Sequence, residues 1–387
     1  MKVLFVTRGY PSKEDPMSGN YEAVQAKALV KKDVDVSLFC IGKVRSFIHL
    51  FDKTKIEVFE NEGVRVYQIN AALPVIPKMW FLSNTRLNDW IIKRCFNKLY
   101  TNYCREKGKP DIVHAHIVSC AAQTCFMKDK YHLPFVITEH WSIIFDTNPP
   151  RWLRNHSKIY HKADKVICVS QALSDSLKRN FRVDSIVIHN MVSNLFFQSS
   201  KKKRNDNTFR FIACGAFRKD RNKGFDILVD AFAFGCFPKN VYLNIIGDGP
   251  DRPYIESKIA ENHLDNQIKL LGLKTPNEVS DLLCNSDCFV LSSRFETFSI
   301  VVIEAMAKGL PVIATRCGGP QTFLRAEHGR LVEKENVKDL ADAMNYMVEH
   351  HSYYNSEGIR KYCYDHFSQD VIADQIIGVY NSVLKNN

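Results

Sequence analysis

Two glutamates, Glu296 and Glu304, stand eight residues apart in the segment Ser292–Glu304, SSRFETFSIVVIE. The apolar run Cys288–Leu291 reads as a strand and Ile300–Lys308 as a helix. Glu296 then falls in the loop that ends the strand, and Glu304 inside the helix. Ligands of open α/β sheets settle at the carboxyl ends of strands, against helix N-termini. The backbone N–H groups of Thr297, Phe298 and Ser299 would lie at such an N-terminus, where they could hold a pyrophosphate. A carboxylate before the turn can accept hydrogen bonds from sugar hydroxyls. One two turns along can accept them from a ribose diol. On spacing alone, two surface glutamates beside a buried helix explain the segment at least as well.

A bound pyrophosphate is anionic and needs cations beside it. The loop Gly215–Gly224, GAFRKDRNKG, supplies Arg218, Arg221 and Lys223. Spacing does not choose between the arginines, and the same residues describe an exposed basic loop. Gly19 sits between the first strand and the first helix, where a missing Cβ permits close backbone approach. His114-Ala115-His116 and Thr138-Glu139-His140 each end a short apolar run. The two imidazoles of the first pair are taken to face opposite sides of their strand, which disfavours a zinc pair.

The elements that would position these groups follow a β-α rhythm. Val3–Thr7, Val34–Ile41, Ile112–Ala115, Phe135–Thr138, Lys165–Val169 and Ile186–His189 read as short buried strands. Tyr21–Lys31, Leu87–Lys107 and Ala172–Asn180 read as helices between them. That alternation predicts a parallel sheet covered on both faces. Ser199–Asn207 has no apolar residue and reads as a linker. The rhythm then restarts with the strands Phe209–Cys214, Val241–Ile246, Ile268–Leu271, Cys288–Leu291 and Pro311–Thr315. The expected domains are residues 1–197 and 208–368, joined by 198–207 and followed by an amphipathic helix over 369–387.

Bulk properties narrow the classes. A chain of 387 residues suits two domains. Its 45% hydrophobic and 25% charged residues are globular values. No stretch has the roughly 20 apolar residues of a spanning helix, and the N-terminus lacks the pattern of a cleaved leader. A cytoplasmic protein is expected. The 12 cysteines form no CxxC pair, so reduced thiols are expected rather than a zinc site or disulfides. Residues 1–190 hold 29 Lys and Arg against 18 Asp and Glu, whereas the remainder balances at 24 and 24. The whole net charge of +11 therefore lies in the N-terminal half. Such asymmetry suits an anionic partner, such as a membrane surface or a phosphate-bearing substrate. The stretch Val75–Lys109 interleaves Trp80, Trp90 and Phe96 with Arg and Lys, the pattern of a helix lying on an anionic bilayer or of any surface helix with one buried face.

The segments IIGDGP (Ile245–Pro250), SSRFETFSIVVIE and EAMAKGLPVIATRCGGP (Glu304–Pro320) closely resemble the donor-binding domain of retaining glycosyltransferases of family 4. The resemblance extends to VICVSQALSDSLKRNF (Val166–Phe181), VIHNMV (Val187–Val192) and NKGFDILVDAF (Asn222–Phe232). It implies the GT-B architecture: two Rossmann-like α/β domains facing across a cleft, with the last helix crossing back to the N-terminal domain. It implies transfer from a nucleotide-sugar donor to a glycan or lipid-linked glycan, with retained anomeric configuration, no metal and no cofactor. It gives the donor sugar to Glu296 and the nucleotide ribose to Glu304. Lys223 matches its phosphate-binding lysine, and Gly19 the glycine that lets backbone approach the donor phosphates or the acceptor. His116 takes the position beside the reacting sugar, and Glu139 and His140 lie toward the acceptor. The family's usual arginine after the first glycine is replaced here by Ala216, a place that Arg218 or Arg221 would fill.

Other functions fit less of this pattern. A nucleotide-sugar 2-epimerase of the same fold would act on the donor with no acceptor. A phosphorylase would need a pyridoxal phosphate lysine and a longer chain. A non-catalytic nucleotide-sugar-binding subunit is favoured only by Ala216. Nucleic-acid binding has the charge but no accompanying motif.

Overall fold

A computed structural model describes residues 1–12, 18–44, 56–72, 85–199 and 206–386. The chain divides into two compact units. One comprises Met1–Val169, Ser174–Ile188 and Ile372–Asn387, and the other Ser170–Leu173 and His189–Val371.

The first unit is built on β1 (Lys2–Thr7), β2 (Asp35–Val44), β3 (Ile56–Asn61), β4 (Val64–Ala72), β5 (Ile112–His116), β6 (Phe135–Glu139), β7 (Lys165–Cys168) and β8 (Ile186–Val187). They lie in the order β3-β4-β2-β1-β5-β6-β7-β8. All neighbours are parallel except β3 and β4. Val3, Leu4, Phe5 and Val6 of β1 are wholly buried, because a central parallel strand is covered on both faces. The β3–β4 hairpin was not anticipated from the run of apolar segments. Its turn is Glu62-Gly63, with φ of 50° and 79°. Two successive left-handed residues are what a two-residue hairpin loop requires. The outermost strand β3 exposes its charged residues, which suits an edge.

The second unit contains β9 (Phe209–Cys214), β10 (Val241–Ile246), β11 (Ile268–Leu270), β12 (Cys288–Leu291), β13 (Val312–Thr315) and β14 (Gly329–Val332). Their order is β11-β10-β9-β12-β13-β14, all parallel. The helices Phe225–Phe234 and Val337–His350 bury Leu228, Phe232, Leu340 and Met344 against Phe211, Leu243 and Val290 of the sheet. Both units are therefore doubly wound α/β sheets, the class read from the sequence.

The boundary between the units differs from the expected one. Residues 189–197 belong to the second unit, not to the N-terminal domain. They are tied there by bonds that no composition shift announces: Val192 N donates to Phe367 O at 2.8 Å, and Lys308 Nζ donates to Leu195 O at 3.5 Å. Most of the proposed linker, residues 200–205, lies outside the described residues, as does the 75–84 part of the tryptophan-rich stretch.

The final helix, Gln369–Lys385, packs in the first unit from Ile372 onward. Ile372, Ala373, Ile376 and Tyr380 are fully buried. The Tyr380 hydroxyl lies 2.6 Å from His114 Nδ1, and His114 Nε2 lies 2.7 Å from Thr138 Oγ1. Burial pushes His114 down to about 3, aided by His140, so the imidazole is neutral and offers one donor and one acceptor. Both are used, and His114 is a satisfied core residue.

Tyr380→Phe would leave one of those nitrogens buried and unbonded. The substitution should cost about 1–3 kcal/mol, read as a lower midpoint in urea unfolding with the slope unchanged. An unchanged midpoint would show that the bond contributes nothing.

Candidate active site

In the second unit the residues singled out around β12 converge. Glu296 follows the strand and is nearly buried. Its backbone is pinned on both sides: Glu296 N donates to Cys317 O at 2.8 Å, and Gly319 N donates to Glu296 O at 2.9 Å. Its Oε1 accepts from Lys223 Nζ at 2.6 Å and from Ser293 Oγ at 2.7 Å. Burial alone would lower the Lys223 ammonium, but the adjoining Glu296 carboxylate outweighs it and the net shift is upward. Lys223 therefore stays charged in a recessed position, where a cation acts strongly on a nearby anion.

The loop that carries Lys223 is clamped to the same strand end. Arg294 forms two 2.9 Å bonds with the Asp226 carboxylate, and its backbone N–H donates to Asn222 O at 2.8 Å. Burial would raise Asp226, yet Arg294 holds it below the usual carboxylate range. Gly224 has φ of 61°, and a Cβ there would meet Ser292 O at 2.1 Å. Only glycine lets the loop approach the strand so closely. Ala216, Arg218, Arg221 and Lys223 line one small depression. Arg221 is committed within it: its guanidinium stacks 3.5 Å over the Tyr254 ring and pairs with Asp251 at 3.3 Å. Arg218 is mostly exposed and pairs with the exposed Asp220 two residues on, a weak tie. Sequence spacing could not separate the two, and these partners do.

The helix Ile300–Ala307 starts beside Glu296, and no side chain caps it. Its first-turn N–H groups carry the positive end of the helix dipole. Phe298 is fully buried against His189, Phe323 and Phe367; it anchors the turn, and Thr297 and Ser299 flank it. Ser299 has φ of 82°, a left-handed conformation that costs a non-glycine residue about 1–3 kcal/mol. Its hydroxyl is buried without a hydrogen-bond partner among the described residues. Strain and an unspent donor thus meet at this turn. Glu304 keeps some exposed surface, but the protein packed around its carboxyl raises it from 4.5 to about 8.

In the first unit the expectations need more correction. His116 ends β5 and is fully buried. It does not face away from His114: the two rings stack with centroids 4.6 Å apart. Residues two apart on a strand share a face, so the expectation of opposite faces was wrong. The turn after His116 is strained, because the β-branched Ile117 has φ of 63°. Glu139 is not open to an acceptor. Its Oε2 accepts from Val118 N at 2.9 Å and Tyr160 Oη at 2.6 Å, and its Oε1 from His140 N at 3.0 Å and Trp141 N at 2.8 Å. Those four bonds hold the turn after β6 and the start of the Ile117–Thr124 helix. His140 is partly exposed, its Nε2 3.7 Å from Glu22 Oε1. Gly19 has φ of 64°, and a Cβ there would strike Gly9 O at 2.1 Å; its glycine requirement comes from that crossing.

A pocket of about 360 Å³ opens at the carboxyl end of β1, beside the middle of β2 and β4. Arg8, Tyr10, Ser18, Gln68, Ser119 and Gln123 contribute to its wall. None was singled out from the sequence, since polar residues scattered over several elements carry no spacing signal.

Comparison with known proteins agrees with this geometry. Residues 208–350 match the family described as glycosyl transferases group 1, and residues 20–193 match glycosyltransferase family 4. An uncharacterized glycosyltransferase of Methanocaldococcus jannaschii is 32% identical over 65% of this chain and 67% of its own. The putative teichuronic acid biosynthesis glycosyltransferase TuaC of Bacillus subtilis is 26% identical over 92% of this chain and 91% of its own. Among solved structures, a glycosyltransferase from Rickettsia africae superposes with a TM-score of 0.76 at 20% identity, covering 100% of this chain and 99% of that one. HepE of Anabaena in complex with UDP-glucose superposes with a TM-score of 0.69 at 19% identity, covering 99% and 100%. Two doubly wound domains, the paired glutamates around an uncapped helix and these matches place the chain in family 4 of the glycosyltransferases, with the GT-B fold.

Proposed function

We propose that the protein moves a sugar from a nucleoside diphosphate to a hydroxyl of a glycan or lipid-linked glycan, with retention at the anomeric carbon and without a metal. The observation that carries this is the Lys223–Glu296 pair at 2.6 Å, set beside an uncapped helix N-terminus with Glu304 two turns along. The diphosphate lies on that N-terminus. Lys223, with Arg218, neutralises the charge that grows as the sugar departs. Glu296 receives sugar hydroxyls, and Glu304 the ribose diol. The acceptor hydroxyl attacks the face that the diphosphate leaves, and His116 contacts the reacting sugar. The HepE complex, which holds UDP-glucose on a similar fold, supports a uridine nucleotide. The likeness to TuaC supports a role in surface polysaccharide assembly in the cytoplasm. The pocket around Arg8 and Gln68 is the proposed acceptor site, with His140 toward its side of the unit.

The purified protein mixed with UDP-, GDP-, ADP- and dTDP-sugars, without acceptor, should be stabilised by one donor and slowly release its nucleoside diphosphate. Glu296→Ala and Lys223→Ala should each lower that release by at least about 100-fold, the scale of losing one charge-stabilising group. Conversion of the donor to its epimer would sink the transferase reading.

Glu304 gives a pH signature. With its carboxyl near 8, it is mostly protonated at neutral pH, whereas a ribose diol donates to the carboxylate. Nucleotide affinity should therefore rise as pH climbs toward 8, by at most about tenfold per unit, and level off above. Calorimetry in buffers of different ionisation enthalpy should show a proton released on binding near neutral pH. Glu304→Gln should abolish both effects. A flat profile in the wild type would remove the ribose from Glu304.

The charged N-terminal half supports docking on the inner face of an anionic membrane. Trp90 is 58% exposed, with Arg94 5.5 Å over its ring, while Phe96, Leu99 and Tyr103 of the same helix are buried. No helix among the described residues is long and apolar enough to cross a membrane. Vesicles containing anionic lipid should sediment the protein at physiological salt, and Trp90→Ala with Arg94→Glu should release it. Equal sedimentation with neutral vesicles would contradict an electrostatic surface.

A further inference from the structure

His116 is an unresolved element of the first unit. It is fully buried, and neither ring nitrogen has a hydrogen-bond partner among the described residues. Buried polar atoms are nearly always bonded, so such an atom points to a missing ligand. Two other ligating side chains turn toward it. Glu22, in the first turn of the helix Asn20–Val30, is 5% exposed. His140 follows β6, and its Nε2 is likewise buried without a partner. One ligand atom from each of the three lies within 4.8 Å of the other two.

The chemistry of the trio is specific. Two imidazoles and one carboxylate form a donor set of zinc sites that keep an open fourth position. Magnesium and calcium prefer all-oxygen shells. Bonds of about 2.0–2.2 Å to a tetrahedral ion bring neighbouring ligand atoms to roughly 3.5 Å. The Glu22–His140 separation of 3.7 Å is already close to that. His140, the one partly exposed member, can close the remaining gap by side-chain rotation. The aromatic rings of Phe5 and Tyr21 pack against His116 and His140 and keep the surroundings dry.

We propose that Glu22, His116 and His140 bind one zinc-class divalent ion, and that this ion silences sugar transfer by occupying His116. The silencing clause rests on the proposed transferase reading; the ion site does not. The ion is an inhibitor here, not a cofactor, because the transfer chemistry described above runs on Lys223 and helix N–H groups.

The test uses the full chain without an affinity tag. Calorimetric titration with zinc chloride near neutral pH should show one ion per chain with micromolar or tighter affinity. Cobalt(II) should give the visible absorption of a four-coordinate site. Glu22→Gln and His140→Ala should each weaken binding at least about tenfold, with metal-free melting temperatures showing that both variants fold. Absent binding, or binding unchanged in both variants, would overturn the site and assign any zinc to other histidines. In donor-hydrolysis assays, zinc should suppress turnover and a chelator restore it. The ratio of turnover without zinc to turnover with it should fall toward one in Glu22→Gln. Zinc bound at the trio with turnover undiminished would overturn the silencing. A protein inactive on every donor would contradict the transferase reading, while the binding and cobalt measurements would still decide the site.

Discussion

The second unit depends on the hydrogen bond between Lys223 Nζ and Glu296 Oε1, 2.6 Å long and largely shielded from water. It joins two segments far apart in the chain, the loop after β9 and the turn after β12. Neither charge is stable there alone, since removing one partner from a buried pair costs about 3–5 kcal/mol. Each charge therefore fixes the other. The Arg294–Asp226 pair and the glycine crossing at Gly224 repeat the connection a few residues away. The outcome is a cation, a carboxylate and a helix N-terminus held together before any ligand arrives. Such preorganisation is what stabilising a leaving diphosphate requires.

Much of this was legible in the sequence, for physical reasons. Parallel strands buried on both faces are continuous apolar runs, so most strand positions could be read directly. Glu296 and Glu304 are positioned by one strand–turn–helix unit, and local spacing suffices to place them. The β3–β4 hairpin is hard to read because its exposed edge strand mixes charges with apolar residues. Its signal was the short turn at Glu62-Gly63.

The first unit was harder to read because its decisive contacts are not local. Glu139 looks like an acceptor-side carboxylate until the four donors that surround it are known. His114 becomes a core residue through Tyr380, 266 positions away in the chain. The period of a strand puts His116 on the same face as His114, which stacks the rings and brings His116 near His140 and Glu22. The two arginines of the loop after β9 differ in their partners, Tyr254 and Asp251 against Asp220. Spacing carries none of that.

The most direct test of the account is a crystal structure with a bound nucleoside diphosphate sugar, or with the diphosphate alone. The account predicts the diphosphate at the N-terminus of the Ile300–Ala307 helix, within hydrogen-bonding distance of Lys223 Nζ. It predicts the ribose hydroxyls on Glu304 and, for the intact donor, the sugar on Glu296. A nucleotide bound elsewhere, with the Lys223–Glu296 pair undisturbed and the helix N-terminus empty, would contradict it.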